Sequence, residues 1–150
     1  TSKKTNDNSI VDFEKAEKFA CVMAKGTVSV PASEIFKLFL GNERVREHNE
    51  NCVDIKDLES ISEDTKVTWN RSPQFGPFKA RDFVTVVNYR QLTDGTLAVI
   101  NRPVNHPLAP KNEKFVRVEI LVALKMMIPN KNDPSKVEFV SVTHINPGGQ

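Results

Sequence analysis

Two hydrophobic periodicities divide the chain into a short helical part and a long part made of strands. After Pro31, apolar residues recur at the spacing of one helix face: Ala32, Ile35, Phe36, Phe39 and Leu40. Pro31 suits the first turn of a helix, because its fixed φ is helical and its missing N–H would have no partner there. The pattern therefore predicts a short helix over residues 32–40, with a further helical turn within 43–50.

The rest of the chain alternates apolar and polar residues, which indicates β-strands joined by polar turns. Residues 11–30 predict two strands, or one long strand bent at Lys25-Gly26. Further strands are expected at these residues: 52–60, 65–71, 81–91, 96–103, 114–128 and 136–146. Because short turns connect them, these strands are expected to pair antiparallel, which gives an α+β fold.

The strand expected at 114–128 has one face without a polar residue. Every even-numbered position from 116 to 128 is apolar, whereas the odd-numbered positions include Arg117, Glu119 and Lys125. In a curved antiparallel sheet such an apolar face either packs on a helix or lines an apolar cavity. We therefore expect the even-numbered residues to face the interior.

Residues 72–90 are expected to form a turn that leads into a strand starting near Arg81. Proline-containing pairs at 72–73 and 76–77 favour the turn. The face of the strand that carries Arg81 also carries a mainly apolar row: Phe83, Thr85, Val87 and Tyr89. An unpaired buried ion costs several kcal/mol. Arg81 is therefore either solvated at the strand end or paired with an anion.

The composition is that of one globular domain. Of 150 residues, 39% are hydrophobic and 27% charged, with 21 Lys+Arg against 19 Asp+Glu, which argues against a nucleic-acid partner. No apolar run approaches the ~20 residues that span a bilayer. Two isolated cysteines, Cys21 and Cys52, predict free thiols and a cytoplasmic protein. Residues 1–10 are expected to be a disordered tail, followed by one domain at 11–150.

The sequence offers little support for catalysis. Motifs for nucleophile elbows, zincins, P-loops and dinucleotide binding are absent from it. His48 and Cys52 lie close in sequence, but the histidines and cysteines match no metal signature. Carboxylates such as Asp82 have no second carboxylate at a catalytic spacing. The sequence therefore predicts a protein that is not an enzyme and needs no metal or cofactor.

Four segments together resemble the START family of lipid-binding domains: GTVSVPASEIFKLFL (26–40), GPFKARDFVTVVNYR (76–90), VNHPLAPKNEKFVRVEI (104–120) and THINPGGQ (143–150). The NPGGQ ending is most similar to the phosphatidylcholine-transfer branch. The resemblance implies a helix-grip fold, in which a curved antiparallel sheet, with short helices after its first strands, encloses a tunnel for one lipid. The family's C-terminal lid helix is expected to be missing from this chain.

The resemblance implies a carrier that binds one phospholipid and shuttles it between membranes, which it contacts transiently from the cytoplasm. In the phosphatidylcholine-transfer branch the arginine that matches Arg81 meets the lipid phosphate, which would supply the anion required above. The following residues are expected to line the tunnel, with packing in the core as the equal alternative for each: Phe75, Phe78, Phe83, Val87, Tyr89, Trp69, Leu121 and Phe139.

Departures from the family narrow the expected ligand. Trp69 and Tyr89 are the only tryptophan and tyrosine, so an aromatic cage for choline is not expected. Residues 66–72 offer no acid to pair with the arginine, as sterol-binding members do, so a glycerophospholipid with another head group is expected before a sterol. Without the lid helix, an uncovered apolar face is expected to drive self-association.

Two other functions stay open on the same scaffold. The chain could be a lipid-sensing regulatory or tethering module of a larger protein. It could also be an enzyme of the cyclase or thioesterase type, which would need a general base deep in the cavity.

Overall fold

The computed structural model describes residues 2–4, 10–16, 19–49 and 51–146, with side chains within 21–49, 51–119 and 122–145. The elements in chain order are β1 (Ser2–Lys4), β2 (Ile10–Ala16), β3 (Phe19–Val28), α1 (Ala32–Leu40), α2 (Val45–His48), β4 (Asp54–Ser62), β5 (Thr65–Arg71), β6 (Ala80–Gln91), β7 (Leu97–Pro103), β8 (Phe115–Arg117), β9 (Glu119–Pro129) and β10 (Val137–Asn146). The predicted α+β class is confirmed.

All the strands belong to one 10-stranded sheet. Its order is β1-β2-β3-β10-β9-β7-β6-β5-β4, and β8 pairs with β6 beside this path. Neighbours along the path pair antiparallel, as predicted from the short connections, whereas β8 pairs with β6 in parallel. The two helices interrupt the chain between β3 and β4, so both come after the first strands, as expected.

The N-terminal region contains two strands, β2 and β3, that pair antiparallel. The alternative bend at Lys25-Gly26 is wrong, because both residues pair in continuous register with β10. Of the tail expected at residues 1–10, the structure describes Ser2–Lys4 and Ile10. Ser2–Lys4 pairs with the first residues of β2.

The predicted helix is present as α1, and its apolar stripe packs on the sheet. Ile35 and Phe39 are buried in a core cluster whose other buried members come from the sheet: Val87, Leu97, Val99, Met127 and Val137. Leu40 was expected in the stripe but is 46% exposed. The buried stripe is centred on Ile35 and Phe39, and Leu38 packs on its other flank. We call the sheet face covered by α1 the inner face.

The single strand expected at 114–128 is split at Val118. β8 pairs with the start of β6, and Val118 donates its N–H to the carbonyl oxygen of Asp82 at 2.8 Å. The chain then moves across the sheet, and β9 pairs with β7 and β10. The prediction of one strand is wrong because the residues before Val118 pair with β6, whereas those after it pair with β7 and β10.

The expected orientation of β9 is also wrong. Odd-numbered Lys125 and Met127 lie on the inner face, whereas even-numbered Val122 is 39% exposed on the other, outer face. The physical reason is that the outer face also buries apolar residues. Ala98 and Val140, which pair with Met126 of β9, are both buried. A wholly apolar strand face therefore does not identify the interior in this sheet.

Candidate functional site

A cavity of about 280 Å³ lies between the two helices and the inner face of the sheet. Helix α1 and the 41–52 segment form one wall, and strands β4 to β7 and β9 form the other. Its lining residues are Phe39, Gly41, Asn42, Val45, His48, Asn49, Cys52, Ile55, Lys66, Thr68, Asn70, Thr85, Val87, Tyr89, Val99, Asn101 and Lys125. Apolar residues come from both walls, with Phe39 and Val45 on the helical wall and Ile55, Val87 and Val99 on the strands, and polar residues lie among them.

The polar part of the lining carries amides, hydroxyls and cations. Within the described chain the lining includes no carboxylate. Lys66 is neutralised by Asp57, whose carboxylate lies 3.2 Å from its Nζ atom just outside the lining. Asn101 donates a hydrogen bond of 3.2 Å to the hydroxyl of the buried Thr85. The cavity therefore presents hydrogen-bond donors with a net positive charge.

Lys125 brings an ammonium group to the cavity from the middle of β9. Its Nζ lies 5.3 Å from the ring centroid of Phe39, and the rest of the side chain stands beside Val99, its partner on β7. Burial lowers the pKa of Lys125. Within the described residues it has neither an ion pair nor a hydrogen bond.

His48 and Tyr89 close the helical side of the cavity. The His48 ring packs against Phe39 with centroids 4.4 Å apart, and burial, followed by the charge of Lys125, lowers its pKa. The Tyr89 hydroxyl donates a hydrogen bond of 2.6 Å to the Phe39 carbonyl oxygen, and burial raises the pKa of Tyr89 to about 12. Both groups are therefore favoured in their neutral forms and leave the charge of Lys125 uncompensated.

Some predicted wall residues lie at this cavity and others beside it. Val87 and Tyr89 line it. Phe139 packs on the adjoining core cluster, with its ring stacked on Phe39 at 6.3 Å between centroids. Phe83 is half-buried and pairs with Asn70 on the same face, beyond the lining residues. The side chain of Leu121 lies outside the described residues.

Trp69 is not a wall residue, which corrects the prediction. It packs on the outer face in a cluster with the buried Val67, Val84 and Ala109. Its Nε1 donates a hydrogen bond of 2.9 Å to the carboxylate of Asp82. In an antiparallel sheet alternate residues face opposite sides, and Trp69 alternates with the cavity-lining Thr68.

Phe75 and Phe78 are also misplaced by the prediction. They lie in the turn between β5 and β6, where they are 61% and 67% exposed. Lys79 in the same turn donates a hydrogen bond of 2.7 Å to the carbonyl oxygen of Glu113, which links this turn to the 104–114 loop. The turn therefore exposes two aromatic rings to solvent instead of lining the cavity.

The structure does not bring Arg81 into the cavity lining. Its Nη1 donates a hydrogen bond of 2.8 Å to the carbonyl oxygen of Lys79, in the turn that exposes Phe75 and Phe78. The expected pairing with a buried anion therefore has no support in the position of this guanidinium. The sequence left two alternatives for Arg81, a solvated position at the strand end or pairing with an anion. Its position in the structure agrees better with the first.

The neighbouring Asp82 has the buried ionic role instead. Its carboxylate accepts hydrogen bonds from Arg117 Nε at 2.8 Å and Nη2 at 3.1 Å, besides the one from Trp69. Arg117 also donates to the carbonyl oxygens of Ala109 and Pro110. This network ties β6, β8 and the 104–114 loop together on the outer face, so the Arg-Asp-Phe triplet is structural here.

Sequence reasoning missed Lys125 and Lys66 as cavity residues. Lys125 shares its strand face with Arg117 and Glu119, so the alternation gave no sign that it lines a cavity. The alternation of Lys66, Thr68 and Asn70 along β5 could have indicated a polar inner face, since Val67 and Trp69 occupy the other side.

Other findings bear on chemistry and on membranes. Cys21 and Cys52 are both free. Within the described ranges there is no group of three or more His, Cys, Asp or Glu side chains placed to hold a metal ion. Neither helix in the same part of the chain has the length and apolarity needed to cross a bilayer.

Comparisons with known proteins agree on one family. The family described as "START domain" matches residues 1–150. The zebrafish (Danio rerio) protein "Steroidogenic acute regulatory protein, mitochondrial" is 30% identical over 102 residues, which cover 65% of this chain and 34% of that protein. The chain thus spans about a third of the length of this curated relative.

Solved structures show the same fold at low sequence identity. The human StarD13 (DLC2) lipid transfer and protein localization domain has a TM-score of 0.86 at 19% identity, covering 100% of this chain and 76% of that one. Human STARD10 has a TM-score of 0.89 at 16% sequence identity, and the match covers 100% of this chain and 62% of that one. Human StAR-related lipid transfer protein 5 has a TM-score of 0.87 at 22% identity, and the match covers 99% of this chain and 72% of that one. These structural similarities confirm the predicted helix-grip fold.

Proposed function

This chain belongs to the START domain family, and we propose on that basis that it binds a single lipid in the inner cavity and carries it between membranes, without catalysing a reaction. The observation that carries the proposal is the cavity of about 280 Å³ between α1 and the inner face. This space opens to solvent on one side, and the protein's own side chains leave it unfilled.

The mixture of apolar and polar residues in the lining suits an amphiphile. Apolar residues of the two walls, such as Phe39 and Val99, can shield an acyl chain, and each CH₂ group removed from water contributes about 0.8 kcal/mol. Donors on the strand side, such as Asn70 and Asn101, can bind a polar head. At about 280 Å³ the cavity is at the lower end of ligand pockets, so it takes part of a lipid and not the whole molecule.

A glycerophospholipid is the ligand class we propose. Its phosphodiester oxygens accept hydrogen bonds, which matches the amides, hydroxyls and cations of a lining that has no carboxylate among the described residues. Phosphatidylcholine is not the ligand we propose, because its choline ammonium would lie near the positive charge of Lys125, and the described lining offers no carboxylate to balance it.

Blocking the cavity tests the proposal. Asn101→Trp places a large side chain in the lining, and transfer of a fluorescent phospholipid between vesicles should fall to the level without protein. Arg102→Trp is the control, because it introduces the same tryptophan side chain one position along β7, on an exposed residue of the outer face. Equal transfer by both folded variants would refute lipid binding at this site.

We further propose that the turn carrying Phe75 and Phe78 contacts the membrane during transfer, as a peripheral contact from the cytoplasm. Both rings are exposed, and the positively charged Lys79 and Arg81 lie beside them in the chain, where they can attract anionic lipids. In this role Arg81 meets phosphates of the membrane instead of a phosphate in the cavity.

Vesicle co-sedimentation tests the membrane contact. Changing Phe75 and Phe78 together to Ser should weaken binding to vesicles that contain anionic lipid by at least about tenfold, since two buried aromatic side chains are lost. Leu92→Ser, at an exposed apolar residue of another turn, should leave binding unchanged. Undiminished binding of the double variant would remove the turn from the proposal. We also propose that the chain self-associates in the absence of lipid, and a monomer at all concentrations in sedimentation velocity would contradict this.

A further inference from the structure

Among the described lining residues, Lys125 is not explained by protein packing alone. It is half-buried on the inner face of a central strand, so it loses part of its hydration shell, and this burial lowers its pKa. In the described part of the chain it has neither an ion pair nor a hydrogen bond in return. Its contact with Phe39, at 5.3 Å, is a weak cation–π interaction that offsets little of this cost.

The neighbouring groups do not balance the charge of Lys125. Lys66, the other cation of the lining, is held by Asp57, which also accepts a hydrogen bond of 3.0 Å from Asn42. His48 adds no negative charge in either protonation state. The described lining includes no carboxylate, so a negative charge at this point has to come from a ligand.

We propose that the ammonium group of Lys125 binds a compact anionic oxygen group, a phosphate or carboxylate, at the polar end of the lipid in this cavity. The inference rests on the proposed function and adds the charge of the ligand to it. A lysine is a point charge with three rotatable donors, which suits such a group without demanding one orientation. Asn101, which also lines the cavity, is two residues along the neighbouring strand from Val99, the partner of Lys125, so its amide is on the same face of the sheet.

The charge balance also selects among lipids. A zwitterionic lipid would bring its own cation into a cavity that already holds Lys125 and has no acid in its described lining. A neutral lipid would leave the half-buried Lys125 without a charge partner. A ligand with net negative charge removes both costs, so anionic lipids are expected to be preferred over neutral lipids with the same acyl chains.

Native mass spectrometry after incubation with vesicles tests this preference. The vesicles contain phosphatidylcholine with either phosphatidic acid or diacylglycerol, which differ by one phosphate group. The unmodified protein should take up phosphatidic acid at least about tenfold better than diacylglycerol. Lys125→Met should reduce this ratio on the order of tenfold or more, because a buried charge partner is lost, while uptake of diacylglycerol is kept. Lys136→Met, at an exposed lysine, is the control and should keep the ratio.

The outcomes separate this inference from the function on which it rests. If the unmodified protein takes up lipid but Lys125→Met keeps the same ratio, Lys125 is not the anion site and the inference fails alone. If the unmodified protein takes up neither lipid, lipid binding itself fails. Inorganic phosphate tests the source of the anion: a thermal shift that depends on Lys125, without lipid uptake, would overturn a lipid ligand. Lys125→Gln replaces Lys125→Met if the latter does not fold.

Discussion

The network around Asp82 provides the sharpest test of how the fold is held together. The Asp82 side chain is 3% exposed and that of Arg117 10%, and two hydrogen bonds join them. Removing one partner of a buried ion pair costs about 3–5 kcal/mol, because the other charge stays buried. Asp82→Ala also removes the acceptor of Trp69, worth about 1 kcal/mol. We therefore expect Asp82→Ala to destabilise the protein by roughly 4–6 kcal/mol.

This loss is comparable to the whole stability of many domains, which is about 5–15 kcal/mol. Asp82→Asn should give a smaller loss of stability that is easier to measure, because the amide keeps one hydrogen-bond acceptor and loses only the charge. It should cost about 1–2 kcal/mol in urea unfolding. A double-mutant cycle of Asp82→Asn with Arg117→Met should show a coupling energy of at least about 1 kcal/mol.

A surface ion pair serves as the control for Asp82. Lys25 and Glu138 lie 2.9 Å apart with both side chains more than 40% exposed. Glu138→Ala should cost less than about 1 kcal/mol. If Asp82→Ala cost no more than this control, or if the cycle gave no coupling, the argument that this network anchors the 104–114 loop would be refuted.

Three further predictions concern the inner face. Phe39→Ala should cost about 3–5 kcal/mol in urea unfolding, whereas the exposed Leu40→Ala should stay within about 1 kcal/mol, and similar losses would contradict the packing of α1. Tyr89→Phe should cost about 1 kcal/mol through the lost hydrogen bond to the Phe39 carbonyl, and an unchanged stability would show that this bond contributes nothing. Burial lowers the pKa of Lys125 in the folded protein below its usual 10.5. At pH values between the folded and unfolded pKa, the unfolded chain therefore holds more protons than the folded one, so the free energy of unfolding should rise with pH in that range. Lys125→Met should abolish that rise and stabilise the unliganded protein at neutral pH, and parallel pH profiles of the two proteins would contradict the burial of the charge.

Local rules predicted the elements whose causes are local. The helix at 32–40 follows from the spacing of Ile35 and Phe39, and the structure buries both residues. The turn at Asp94-Gly95 follows from turn chemistry: Gly95 adopts φ 87°, and the Asp94 carboxylate accepts a hydrogen bond of 2.9 Å from the Thr96 N–H. Such features need only a few neighbouring residues, so a single sequence contains the information for them.

Features that depend on distant partners could not be predicted in this way. The split at Val118 depends on β8 pairing with β6, more than thirty residues earlier in the chain. The position of Trp69 depends on which face of β5 the 104–114 loop covers. Both faces of this sheet bury apolar side chains, so the alternation along a strand gives two faces without saying which of them is inside.

The two basic residues of the inner strands show where pattern reasoning fails and what the failure means. The position of Arg81 at the start of a strand with an apolar face and the family resemblance predict a lipid contact for it, but the neighbouring residue with buried partners is Asp82. A charged residue normally marks the solvent side of a strand, yet Lys125 lines the cavity. Sequences that fold well break such a rule mainly where function requires it. A lysine that opposes the hydrophobic pattern of its own strand therefore indicates the proposed binding site more directly than Arg81 does.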